Sequence, residues 1–288
     1  LIVSIALLVL VFIPGIGADF GTSQSWVSVA GFSFQPAEIV KLTFLLYLAA
    51  WFEARAGKDL ERPSSGLIPF VTTLGIVVLL RALQPDVGTM AIVVAIAGAV
   101  YFAAGAPWLH LAVLASGGAG LFALLIKVAP YRAARFMTFL HTELDPQGVG
   151  YHINQALLAV GSGGLFGMGY GHSRQKFQYL PEVAGDSIFA VIAEELGFFL
   201  SVGLLLLYVF LAKRLLRTAA QAPDAFGQFV CVGVMAWVVF QAFVNIGAML
   251  GLLPITGVPL PLVSYGGTST VMVLSAFGIV LNISRHRA

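Results

Sequence analysis

The chain has 288 residues, 59% of them hydrophobic and 10% charged, with a mean hydropathy of +0.95 and a formal net charge of +2. Soluble domains carry roughly 25% charged residues, so this composition excludes a soluble protein and implies one integral to a membrane. The near-neutral charge gives no ground for a nucleic-acid partner, and a single cysteine, Cys231 in an apolar run, excludes a disulfide framework.

A spanning helix needs about 20 mainly apolar residues. Eight runs qualify, at roughly 1–16, 37–53, 66–83, 88–105, 107–128, 186–212, 226–251 and 268–284. No extended alternation of apolar and polar residues occurs, which argues against a β-barrel. The predicted fold is an all-α, polytopic helical bundle, with 1–288 as a single transmembrane domain. The chain opens on Leu1 and its first apolar run begins at once, without the basic stretch of a signal peptide, so it reads as lacking an N-terminal part.

Basic residues orient the bundle. Arg55, Lys58 and Arg62 follow the second run, Lys213, Arg214 and Arg217 are expected in a loop after the sixth, and Arg285 and Arg287 close the chain. Alternating spans put all three groups on one side, and positive loops face the cytoplasm. The stretches 17–36, 129–185 and 252–267 then face outward. The long loop 129–185 carries Arg132, Arg135, Arg174 and Lys176 against that rule, which long loops obey weakly. Its apolar stretch "YHINQALLAVGSGGLFGMGYG" predicts short helices and turns packed on the outer membrane face rather than disorder.

A charge at the centre of a span costs about 2.5–3.5 kcal/mol on insertion scales, so each one needs a reason. In "FQPAEIVKL", Pro36 suits a helix start. Glu38 and Lys41 share a face, either as an i,i+3 ion pair or as the lining of a polar cavity that admits a phosphate or sugar. "LRALQPDVGTM" breaks a helix; Asp86 caps the next helix, pairs with Arg81, or helps shape an outer cavity. "GSGGLFGMGYG" lacks the Gly-Lys-Ser/Thr ending of a P-loop and reads as a compact loop.

"FQYLPEVAGDSIFAVIAEELGF" sets Glu182 and Asp186 where the outer loop becomes a helix. Glu194 and Glu195 lie two turns further in and read as structural pairing or support for a helix break. Gln241 and Asn245 share a face of the seventh run, as hydrogen-bonding glue between helices. "LLPITGVPLPLVSYGGTST" is too irregular for lipid and must be buried in protein or line a cavity. It is either a structural re-entrant turn or a source of the Ser264, Tyr265 and Thr268 hydroxyls. The five histidines show no metal-ligand spacing, so no metal site is expected.

"FSFQPAEIVKL", "LQPDVGT", "YHINQALLAVGSGGLFGMGYGHSRQKFQYLPE", "DSIFAVIAEELGF", "NIGAMLGLLPITGVPLPLVSYGGTS" and "LNISR" follow one another in this order. Together they resemble the SEDS family of FtsW, RodA and SpoVE, over essentially the whole chain. "IPGIG" and "GFSFQPAE" are nearer the FtsW form, and "LQPDVGT" is close to the RodA form. The resemblance implies about ten spanning helices of the usual length, of which those here match the third to the tenth, with a cytoplasmic C-terminus. It implies a peptidoglycan glycosyltransferase that polymerises lipid II, the undecaprenyl-pyrophosphoryl disaccharide peptide. The work would be done at the outer face of the cytoplasmic membrane, in cell division or elongation. Implied partners are a class B penicillin-binding protein that supplies transpeptidation, other divisome or elongasome proteins, and membrane lipids. Two stretches depart from the family pattern. An Arg-rich stretch is replaced by "GTSQSWVSV", and the usual His and Thr before the acidic residue are Ala184 and Gly185, while Asp186 itself is kept.

Glycan polymerisation needs a sugar hydroxyl to attack an anomeric carbon as a lipid pyrophosphate leaves. A positioned carboxylate can act as general base, and Asp186, at the expected membrane boundary, is the candidate. Arg132, Arg135, Arg174, Lys176 and Lys41 are candidates for the pyrophosphate. Glu38, Asp86, Glu182 and Ser264 are further candidates for binding substrate. A divalent cation, Mg2+ or Mn2+, could share that work, although no ligand cluster demands one. Two other classes stay open: a flippase for the same lipid-linked precursor, and a non-catalytic scaffold for a penicillin-binding protein.

Overall fold

The computed structural model describes residues 1–13, 17–20, 23–29, 32–55, 60, 62–84, 86–128, 130–145, 147–177 and 179–286. Lys58 and Arg287, which the charge argument used, lie outside them. Among the described residues the helices are α1 (Ile2–Leu10), α2 (Pro36–Glu53), α3 (Leu67–Leu83), α4 (Val87–Ala103), α5 (Trp108–Val128), α6 (Pro130–Leu140), α7 (Val149–Ser162), α8 (Ile188–Ala220), α9 (Ala225–Met249) and α10 (Gly267–Arg285). Three of them, α8, α9 and α10, are long and apolar enough to cross a membrane. Leu67–Leu83, Val87–Ala103 and Trp108–Leu121 are shorter apolar helices. The fold is that of a polytopic all-α membrane protein.

The helices follow the expected spans closely except at the ends of the first and the sixth. α8 continues through Ala220, so Lys213, Arg214 and Arg217 lie on its last turns rather than in a loop. Leu215, between them, and Ala219, just after them, are buried, which keeps one face apolar to the end. The stretch 17–36, expected to face outward between the first two spans, contains β1 (Gly17–Phe20), β2 (Ser23–Val29) and β3 (Phe32–Phe34) in one antiparallel sheet. Strands this short give too few alternations to stand out in a sequence. The expected 129–185 loop holds α6, a 3-10 turn at Thr142–Leu144, and α7.

By its internal contacts the chain divides into two compact units. The first comprises 1–117, 212–240 and 267–288. Its core is aromatic: Phe70 and Tyr101 stack at 4.4 Å, Phe52 lies 5.5 Å from Tyr101, and Phe229 lies 6.2 Å from Phe52. The Tyr101 hydroxyl is satisfied by His110 Nδ1 at 2.8 Å, as a buried phenol requires.

The second unit comprises 118–211 and 241–266. Its α8 exposes Phe198, Phe199, Leu206, Leu207 and Phe210, an apolar face that suits lipid and not water. α8 is broken at Gly197, whose φ of 75° and ψ of −174° leave the helical region. A break frees carbonyls that must find new donors, since lipid offers none. The glycine-rich segment after α7 supplies them. Met168 N donates to Glu194 O and Gly169 N to Glu195 O, each at 2.9 Å, while Phe198 N donates to Gly164 O at 2.9 Å.

Candidate active site around Asp186

Asp186 lies in the second unit, 9% exposed, two residues before α8. Ser187, not Asp186, stands immediately before the helix. The segment reaching it turns on Glu182, a non-glycine residue at φ 47°, a left-handed conformation that costs of order 1–3 kcal/mol and is kept only where its surroundings enforce it. Here the Glu182 carbonyl accepts from Gly185 N at 2.9 Å and Ser187 N at 3.3 Å, which closes the turn. Glu182 itself is exposed.

Two further elements fix Asp186. From α9, Asn245 Nδ2 donates to Asp186 O at 2.7 Å and to Val258 O at 2.8 Å. One turn earlier, Gln241 Nε2 donates to Pro259 O at 2.8 Å. Expected as glue between helices, these two side chains bond to main-chain carbonyls. The proline-rich segment has no helical ladder, so its carbonyls need donors from elsewhere. That segment also packs directly on the site. Tyr265 N donates to Ala184 O at 2.8 Å, and a Cβ on Gly257 would sit 3.9 Å from Asp186 Oδ2.

On the side of α7, His152 Nε2 is 2.6 Å from Ser187 Oγ, which lies 2.8 Å from Pro181 O and 3.4 Å from Asp186 Oδ1. Burial pushes the His152 imidazole down to about 4 from 6.5, because low dielectric disfavours the charged ring. Neither His152 nor Ser187 was singled out from sequence. They are 35 residues apart, and no local pattern joins them.

The other sequence candidates divide by unit. In the second unit, Lys176 Nζ binds Glu195 Oε1 at 2.7 Å and Gly171 O at 2.8 Å, so its charge is already engaged. Arg174 is exposed, and its main-chain N donates to Glu194 Oε1 at 3.0 Å. Glu194 Oε2 also accepts from Ser173 Oγ and from Gln175 N. The two glutamates therefore hold the glycine-rich segment against the break in α8, as the structural reading of them expected. Ser264 Oγ is buried and accepts from Leu260 N at 2.7 Å, which closes a turn after the prolines. Arg132 and Arg135 belong to α6, and their side chains lie outside the described residues.

In the first unit, Glu38 Oε1 and Lys41 Nζ pair at 2.7 Å with almost no exposure, and Lys41 Nζ stands 5.0 Å from the Trp237 ring. Arg81 donates to Gln84 Oε1 and to Asp86 Oδ2, while Gln84 Nε2 donates to Leu8 O at 2.7 Å. Asp86 also caps α4 by accepting from Thr89 N at 3.0 Å. The two structural readings of Asp86 thus hold together: one oxygen caps and the other pairs. Thr268 Oγ1 accepts from Gln35 N at 3.3 Å.

The chain resembles proteins of known name over nearly its whole length. It is 42% identical over 286 residues to stage V sporulation protein E of Bacillus subtilis, covering 99% of this chain and 78% of that protein. It is 40% identical over 283 residues to a probable peptidoglycan glycosyltransferase FtsW of Thioalkalivibrio sulfidiphilus, covering 97% and 70%. A chain from the solved structure "Structural coordination of polymerization and crosslinking by a peptidoglycan synthase complex" superposes with a TM-score of 0.78 at 32% identity, covering 99% and 79%. The rod shape determining protein RodA of Thermus thermophilus superposes with a TM-score of 0.66, also at 32% identity, covering 99% and 76%. The FTSW_RODA_SPOVE family model, described as a cell cycle protein, matches residues 1–288, and the chain belongs to that family.

Proposed function

We propose that this protein is a peptidoglycan glycosyltransferase that polymerises lipid II, with Asp186 as its general base. The observation that carries this is that the short segment bearing the buried Asp186, just before α8, is held at Ser187, at the Asp186 main-chain carbonyl and at Ala184 O by groups from α7, α9 and the proline-rich segment. A base must be preorganised to contribute its usual factor of about 10²–10⁴, and a side chain on a free loop would not be. In the step, Asp186 takes the proton of the acceptor sugar hydroxyl. The hydroxyl oxygen bonds to the anomeric carbon of the donor. The bond from that carbon to the phosphate oxygen breaks, and undecaprenyl pyrophosphate leaves with the electron pair. A single displacement of this kind inverts the anomeric centre.

The leaving group is anionic, and Arg174, Arg132 and Arg135 are the cations of the second unit proposed to meet it. Among the described residues no three His, Cys, Asp or Glu side chains gather as a metal site, so a divalent cation would have to be held mainly by the pyrophosphate itself. The basic ends of α8 and α10, at Arg217 and Arg285, support a cytoplasmic placement for those ends. The reaction is then proposed for the outer leaflet of the cytoplasmic membrane. The likeness to a chain of a peptidoglycan synthase complex supports a crosslinking penicillin-binding protein as partner.

The test is polymerisation of lipid II by the purified protein, with and without such a partner, comparing Asp186→Asn. Glycan chains from the parent, and at least about 100-fold fewer from a variant that melts alike, are the expected result. A parent that moves lipid II across vesicles and makes no polymer would point to a flippase. A variant within a few-fold of the parent would place the base elsewhere, with Glu182 next to be tried.

A further inference from the structure

Ser187 and His152 have no part in the step described above, yet they form a close polar contact beside Asp186. Ser187 has no exposed surface. Its Oγ lies within hydrogen-bonding distance of three groups: His152 Nε2 at 2.6 Å, Pro181 O at 2.8 Å and Asp186 Oδ1 at 3.4 Å. A hydroxyl has one proton to give and two lone pairs with which to accept. Pro181 O and a charged Asp186 can only accept, so the serine proton goes to one of those two oxygens when the imidazole is the donor. The opposite tautomer would spend the serine proton on His152 and leave both oxygens without it. The bonding that satisfies most groups has the His152 Nε2–H donating to Ser187 Oγ, an assignment made from the network, as every imidazole tautomer is.

We infer that His152 and Ser187 act as a positioning pair for Asp186. His152 fixes the serine oxygen, and the serine hydroxyl swings between Pro181 O and Asp186 Oδ1. This rests on the reading of Asp186 as the base. The two acceptors differ in strength, and that difference drives the swing. Pro181 O is the nearer acceptor, at 2.8 Å against 3.4 Å, and the hydroxyl moves to a charged Asp186 only as that contact shortens into the stronger bond that an ionised acceptor makes. Once Asp186 has taken the sugar proton it is a weak acceptor, and the hydroxyl returns to Pro181 O. The pair therefore steadies the carboxylate before proton transfer and lets go of it afterwards. The low basicity of the half-buried imidazole keeps it neutral throughout, so no positive charge is added to weaken the base. Because the pair works through Asp186, by way of Ser187, its effect is expected on turnover and not on substrate affinity.

The experiment is steady-state polymerisation of lipid II by Ser187→Ala, His152→Ala, His152→Gln and the Ser187→Ala/His152→Ala double variant, each matched by a melting curve. Glutamine keeps an N–H donor on a side chain of similar reach. The expected result is a fall in kcat of about 5- to 30-fold for each alanine variant, within the range of a base left without its support, and a KM within twofold of the parent. The double variant should be no slower than the slower single one, since both cut the same chain. His152→Gln should recover most of the rate. Effects that multiply in the double variant, or a His152→Gln protein as slow as His152→Ala, overturn the pair. If Ser187→Ala does not fold, the two His152 variants decide alone, and equal rates overturn it. If the alanine variants run at the parental rate while Asp186→Asn is inactive, the pair is wrong and the base stands. If Asp186→Asn is itself active, the reading of the base is what has failed.

Discussion

Gly167 and Gly197 lie back to back, so close that a Cβ on Gly197 would run into the Gly167 amide nitrogen. Both have positive φ, 80° and 75°. A side chain at Gly197 would meet backbone and would also be forced into a positive-φ, extended-ψ conformation that is essentially confined to glycine, worth about 1–3 kcal/mol by itself. Gly197→Ala is expected to lower the melting temperature in detergent by several degrees or to abolish folded protein, and Gly167→Ala likewise. The double variant should be less damaging than the sum, because the two clashes share one interface. A Gly197→Ala protein that melts with the parent would show that the break in α8 is not required.

Asn245→Asp is a sharper probe than Asn245→Ala. It keeps the shape and removes the two N–H bonds to Asp186 O and Val258 O. Each buried carbonyl left without a donor costs about 1–3 kcal/mol, and a carboxylate facing two carbonyls adds repulsion. Melting and lipid II polymerisation should therefore both fall, with Asn245→Asp at least as impaired as Asn245→Ala. A better-behaved Asn245→Asp would show that packing, not donation, is the role of this side chain.

Glu194→Gln replaces one acceptor oxygen with a donor amide in a pocket of donors. Ser173 Oγ, Arg174 N and Gln175 N all point at that carboxylate. Hydrogen bonds to a charged group are worth about 1.5–3 kcal/mol each, so the glycine-rich segment should come away from α8. Limited proteolysis reads this directly. Cleavage within 163–176 should speed up by at least about tenfold, the factor that about 1.4 kcal/mol of opening energy gives. Unchanged cleavage would mean that main-chain pairing alone holds the segment.

His152 makes stability depend on pH in a window set by its displacement from 6.5 to about 4. The unfolded chain takes up a proton below about 6.5, and the folded chain does so only near 4, so the folded state loses stability as pH falls between these values and does not change on this account above them. The parent should melt progressively lower from about pH 7 to about pH 5. His152→Gln, which has nothing to titrate there, should show a smaller drop over the same range. Parallel curves for the two proteins would remove His152 as the source.

The parts of the fold that composition controls were legible in the sequence. Apolar runs gave the spans, Pro36 gave the start of α2, and the helix break expected in "LRALQPDVGTM" lies between Leu83 and Val87. The end of α8 was missed because Lys213, Arg214 and Arg217 look like a loop when charge alone is counted, whereas the helix runs through them with Leu215 and Ala219 turned inward. Asp186 stood out as a carboxylate at the edge of an apolar run. Its supports did not. A polar pair such as Gln241 and Asn245 shows which helix face is polar, but not whether the partner is another helix or the carbonyls of an irregular segment. Ser187 and His152 are brought together only by the turn on Glu182 and the docking of α7, and that information is tertiary.

The break in α8 also sets an order of events during biosynthesis. Ser201 Oγ of α8 itself donates to Gly197 O, but the glycine-rich segment supplies amides for the carbonyls of Glu194 and Glu195, and hydroxyl, amide and ammonium donors for their carboxylates. That segment leaves the ribosome before α8 does. It has little to bind until α8 follows, and an α8 still waiting for it carries two unpaired carboxylates and has no reason to open at Gly197. Each half lacks these partners until the other is present, so α8 is expected to insert as one unbroken helix and to bend only when the earlier segment docks. The turn that presents Asp186 lies between the two and is ordered last, although its residues are synthesised in the middle.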